Sequence, residues 1–276
     1  MIYSFTIVFV LFVVILIFVL LTCKENFRSF VRNEEYILTM TATMGFHNRF
    51  QYVVDIIKSL QQKNTFKSCL FVIINEWTSD QDSSFFTAYM AENFPDIHFI
   101  QKNRNDQGQA RSLNILIRDY LLDGRYKYWI HWEDTWLCKK TFFPELIETM
   151  NENKDIVQLQ LTADWLDDVS PKHQLERGNN IVVLIPQTKH LKSIFEIDNI
   201  NVDTWPLFSL RPSINRLSFY QQNTQDFYFI EDPHQWPLRF EWEFGRIFLR
   251  NKGVKAVVKS HYAERVKGYK STYQNG

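Results

Sequence analysis

Cysteine is scarce in this chain of 276 residues: Cys23, Cys69 and Cys138 are all it has, and three cannot make a fully paired framework. That agrees with a reducing compartment rather than a disulfide-stapled domain. Charge of one sign is missing too, since 31 Lys and Arg balance 31 Asp and Glu. A nucleic-acid backbone selects for a basic excess, so nucleic acid is not the expected partner. No glycine-rich phosphate loop with a basic residue follows the first strand, which argues against nucleotidyl transfer.

A charge-free run opens the chain at residues 2–22. At about 1.5 Å per residue it is long enough to cross a hydrocarbon core. No small-residue cleavage pattern follows, so the expectation is an uncleaved transmembrane signal anchor (1–22), a polar stem (23–35) and a globule (36–276). Lys24, Arg28 and Arg32 follow the span and only the α-amino group precedes it, so the positive-inside rule favours a cytosol-facing globule. An ER or Golgi lumenal arrangement is the rival. Cys23 is either a palmitoylation site beside the membrane or a plain thiol.

The globule is 45% hydrophobic over the chain as a whole, enough for one substantial α/β domain or two small ones. Aromatics reach 16%, which suits a sugar-facing cleft and is equally explained by a bulky core. Strands are expected at 36–43, 68–74, 97–101 and 126–132, with helices at 48–61, 85–93 and 109–122. The run at 68–74 is apolar almost throughout, as in a parallel strand buried on both faces. Such alternation implies an open parallel sheet with right-handed crossovers, whose ligands sit beyond the carboxyl ends of the strands.

The strand expected at 126–132 is the most informative of these because of how it ends: Trp132 runs directly into Glu133-Asp134. Carboxylates at that edge suit a hard divalent cation, which can neutralise a diphosphate. A blander reading is that they cap a helix near Phe143.

Five segments in order resemble glycosyltransferase family 2, a GT-A fold group of nucleotide-diphospho-sugar transferases. They are Asn48-Arg49 leading into a helix ending Ser59-Leu60; the turn Asn75-Glu76-Trp77-Thr78-Ser79-Asp80; and Asn105-Asp106-Gln107-Gly108-Gln109-Ala110-Arg111-Ser112-Leu113-Asn114. Glu133-Asp134-Thr135 and Phe240-Glu241-Trp242-Glu243-Phe244-Gly245 complete the set, with Leu210-Arg211-Pro212-Ser213 between them like the family's Pro-Ser segment. The match covers nearly all of 36–265.

The resemblance implies a Rossmann-like, mostly parallel sheet flanked by helices, with a nucleotide-sugar-binding half (36–136) and an acceptor half (137–276). It implies hexosyl transfer from a nucleoside-diphosphate sugar to a hydroxyl of a glycan, lipid or protein, metal-assisted and inverting. Donor contacts are expected from Thr41, Asn75, Glu76, Asp80, Gly108, Arg111 and Asp134. Mn²⁺ or Mg²⁺ is expected on Glu133, Asp134 and His261, and the catalytic base at Glu241 with Glu243 beside it. Trp132, Trp136 and Trp242 offer faces for sugar C–H groups, or pack in the core. Thr135 replaces the family's last carboxylate and Asn75 its first Asp, so weak or no metal dependence is open, as is a non-catalytic sugar- or partner-binding relative.

Overall fold

Strand β2 (Cys69–Asn75) has no charged side chain and lies in parallel between β1 (Tyr36–Ala42) and β3 (Ile97–Gln101). A strand so placed needs cover on both faces, and it has it. Helix α1 (Arg49–Lys63) sends Val53, Val54, Ile57 and Leu60 into the core with Leu38 and Met40, and α2 (Asp80–Asn93) adds Phe86 and Met90. On the other face α3 (Gln109–Leu116) packs Leu113 and Leu116 against Ile37, Val72 and Ile74. Strand β4 (Tyr128–Glu133) pairs in parallel with β1, Thr41 opposite Glu133.

The computed structural model describes residues 35–46, 49–64, 69–122, 124–163, 166, 170–185, 208–223, 241, 244–245, 248 and 251–266. The chain divides into two compact units, Met1–Glu34 and Glu35–Gly276. The anchor expected at 1–22, the stem to residue 34 and its Cys23 lie outside the described residues. Among the described residues no helix is long and apolar enough to cross a membrane.

Beyond β4 come β5 (Trp136–Cys138), α4 (Glu145–Glu152), β6 (Ile156–Gln160), β7 (Gln174–Arg177) and β8 (Ile181–Leu184). Strand β9 (Ser213–Arg216), α5 (Leu217–Gln222), β10 (Val254–Val258) and β11 (Ala263–Arg265) follow. The described strands form a nine-stranded sheet, β3-β2-β1-β4-β9-β6-β10-β8-β7, and a β11-β5 pair. Strands β9 and β8 run against the others, so the sheet is mostly parallel by direction but mixed in its second half.

Most expected boundaries hold to within two residues, and two helix ends move further. Helix α2 begins at Asp80 rather than 85, because Ser79 is extended and its Oγ accepts the Asp82 N–H at 3.0 Å, capping a polar first turn. The helix expected at 109–122 is α-helical only to Leu116, then continues as a π turn over Ile117–Leu121. The helix-capping reading of Glu133-Asp134 falls, since β5 intervenes before α4.

Candidate functional site

The β1–α1 and β2–α2 connections meet at the carboxyl edge of the sheet. Asn75, fully buried, accepts the Met44 N–H at 2.9 Å and donates to Gln101 Oε1 at 2.8 Å, so its amide stitches three strand ends together. Thr41 is buried one register step from that edge, opposite Glu133 and Ile74.

Asp134 Oδ2 accepts the Thr43 N–H at 2.9 Å and the Thr43 hydroxyl at 2.7 Å, and lies 3.8 Å from the Arg49 guanidinium. Arg49 also donates to Thr43 Oγ1. Both charged side chains are buried, 3% and 9% exposed, so the pair is largely shielded from water.

Glu76 holds a second network. Its Oε1 accepts from Lys102 Nζ and the Ser112 hydroxyl, both at 2.7 Å, and its Oε2 accepts the Gly108 N–H at 3.0 Å. Asp80 lies exposed at the start of α2, its Oδ1 accepting from Trp77 Nε1 at 3.1 Å. Arg111 donates to the Asn105 carbonyl.

Glu133 and Glu241 are brought together from distant parts of the chain. Desolvation within the cleft, then the Glu241 charge, push the Glu133 carboxyl up to about 8; the indole N–H of Trp136, at 3.0 Å from Oε2, and Arg265 pull the other way. Desolvation also raises Glu241, against the Leu210 N–H (2.7 Å to Oε1), Lys255, Arg211 and Ser209, which favour its anion. Arg211 and Arg265 lie over the Trp136 ring, 5.9 and 5.2 Å from its centroid, so cationic charge borders the pair.

His131 is buried beneath this edge. The Trp129 indole donates to Thr39 Oγ1 at 2.7 Å, and Thr39 Oγ1 lies 3.2 Å from His131 Nδ1. Burial pushes the imidazole down to about 3, so it is neutral.

The expected cation set is not gathered. Among the described residues no three His, Cys, Asp or Glu side chains converge to hold a metal. His261 is exposed, with Nδ1 accepting the Ala163 N–H at 3.3 Å, and Asp134 is engaged by Thr43 and Arg49. Asp134 alone of the three stands in an ion pair, so the expected residues do not gather the several oxygens that a hard cation takes.

The sugar-platform reading is corrected for Trp132 and Trp136. Trp132 is fully buried, stacks on Phe142 and donates to the Trp136 carbonyl at 2.6 Å, while Trp136 is 3% exposed. Trp242 and Glu243 lie outside the described residues. Sequence reasoning misses Lys102, Arg49, Arg211 and Arg265 as site residues; Lys102 directly follows β3, the one local hint that it reaches the same edge.

No protein-family model matches the chain, and no curated protein matches it in sequence. Solved structures do. S. aureus TarS 1-349 aligns over 83% of this chain at 15% identity and TM-score 0.50, and S. aureus TarS likewise at 15% and 0.50. GalNAc-T7 with UDP, GalNAc and Mn2+ aligns over 87% at 11% identity and TM-score 0.49. The chain spans 59%, 36% and 46% of those three chains. The neighbours are GT-A glycosyltransferases. The fold of this chain is therefore the GT-A fold, and identities this low show the fold alone.

Proposed function

We propose that this chain is a membrane-anchored glycosyltransferase, moving a hexose from a nucleoside-diphosphate sugar to a hydroxyl of a glycan, lipid or protein with inversion. One observation carries the reading: Glu133 ends β4, and Glu241 is held by the Leu210 N–H just ahead of β9, so both carboxyls lie at the carboxyl edge of a GT-A sheet, where ligands of open α/β sheets bind.

Glu241 is the base. Its Oε1 is oriented by the Leu210 N–H, and its raised proton affinity suits it to take the acceptor's proton as the hydroxyl oxygen attacks the anomeric carbon. The bond from that carbon to the phosphate oxygen breaks, and the nucleoside diphosphate leaves with the electron pair. Glu133 stays protonated at neutral pH and adds no charge against the departing anion. Arg211 and Arg265 supply cationic charge at the same edge. Among the described residues no three His, Cys, Asp or Glu side chains converge on the divalent cation expected from the sequence.

Residues 2–22 are the anchor, with the globule facing the cytosol by charge bias. Protease protection in sealed vesicles tests this: cleavage from the cytosolic side supports it, and protection assigns the lumenal face.

A non-catalytic sugar-binding role is favoured by one feature, the commitment of Asp134 to Thr43 and Arg49. Turnover of UDP- and GDP-sugars, measured as release of nucleoside diphosphate, separates the two. Binding without turnover by any donor supports the second reading.

A further inference from the structure

We infer that Lys102 is a positioning residue that fixes the Gly108 turn at the mouth of the sheet, with Glu76 as its intermediary, and that this clamp sets how tightly a nucleoside diphosphate is held. The nucleotide half of the inference rests on the glycosyltransferase reading.

The Lys102 side chain is 1% exposed, an unusual burial for an ammonium beside a surface turn. All three of its donor positions are used: Glu76 Oε1 at 2.7 Å, the Gly108 carbonyl at 2.8 Å and Ser112 Oγ at 2.9 Å. Glu76 in turn accepts the Gly108 N–H at 3.0 Å through its other oxygen. Gly108 is thus held at its carbonyl by a cation and at its N–H by an anion. Its φ of 107° is open to glycine and strained for other residues, so the turn has a shape that needs holding.

Desolvation lowers the Lys102 proton affinity, and the Glu76 and Asp106 carboxylates restore part of it. A buried ion pair is weak evidence for stability, because an apolar pair of similar volume does as well. Geometry is what this one secures. The turn links the carboxyl end of β3 to the first residue of α3, and the clamp also ties in the residue that follows β2. Those are the strand ends where open α/β sheets receive their ligands.

The full chain in its native membrane or detergent is compared with its Lys102→Met variant. Amide hydrogen exchange is read over 103–112, and UDP and GDP affinities are measured with each nucleotide alone. Expected are loss of exchange protection at Gly108 and at least about tenfold weaker binding of the nucleotide that the wild type prefers, the scale of one lost charge-assisted hydrogen bond. In turnover, KM for the donor rises while kcat holds. If Lys102→Met does not fold, Ser112→Ala removes the hydroxyl that bridges Lys102 and Glu76, keeps the ion pair, and shows a smaller loss in the same direction. Unchanged protection overturns the clamp, and lost protection with unchanged nucleotide affinity overturns its role in binding. A wild type that binds neither nucleotide overturns the nucleotide half together with the glycosyltransferase reading, and the exchange measurement still judges the clamp.

Discussion

The Arg49 guanidinium lies 3.8 Å from Asp134 Oδ2, with both side chains almost wholly out of water. The carboxylate that the sequence offers as a cation ligand is thereby a strut between β4 and the start of α1. Removing it takes the carboxylate from beside the buried Arg49 and the acceptor from the Thr43 N–H. Asp134→Ala is expected to destabilise the globule by about 3–5 kcal/mol, the cost of breaking a buried pair from one side. Thr43→Ala should cost less, about 1 kcal/mol, because the backbone bond to Asp134 survives. Urea unfolding midpoints at constant slope check both.

Chelation follows from the same geometry. With Asp134 engaged by Thr43 and Arg49 and no three ligating side chains gathered among the described residues, nucleotide-sugar turnover is expected to be undiminished in EDTA and unstimulated by Mn²⁺. A steady-state assay with and without chelator reads this directly.

Glu133 also makes stability depend on pH. Its folded-state value, about 8, stands above the ordinary 4.5, so folding favours its protonated form. That contribution is fully present below 4.5 and is lost as pH rises through about 8. Glu133→Gln keeps the neutral shape and removes the titration. The variant should therefore gain stability relative to the wild type as pH climbs across that window, as measured by chemical denaturation at each end. A constant difference would contradict it.

Gly45 packs against the β2–α2 turn closely enough that a Cβ there would lie 2.1 Å from Thr78 Oγ1. Gly45→Ala must push the two loops at the sheet edge apart, at a cost of about 1–3 kcal/mol. Thermal unfolding checks the loss.

The first half of the fold was legible because buried parallel strands are written as apolar runs. Strand β3 was expected at 97–101 and lies there, and β2 differs from expectation by one residue at each end. The second half is harder to read for a physical reason. Strand β8 is an apolar run, but β6, β9 and β10 carry Gln158, Gln160, Ser213, Asn215 and Lys255 as buried side chains, so polar residues interrupt the core signal there. At the site, the edge position of Glu133 and Asp134 could be read from the strand that precedes them. The partners could not. Arg49 meets Asp134, and Lys102 meets Glu76, only through the register of β1 with β4 and of β2 with β3. For the tryptophans both readings stayed open in the sequence, because a core ring and a sugar platform have the same signal; Trp132 and Trp136 take the core one.

The central claim is that Glu241 takes the acceptor's proton. The most direct test is kcat for the preferred nucleotide sugar and acceptor in Glu241→Gln, a change that keeps an oxygen for the Leu210 N–H. Loss of a positioned general base predicts a fall of about 10²–10⁴-fold in kcat with the donor still bound. A kcat equal to that of the wild type would contradict the account.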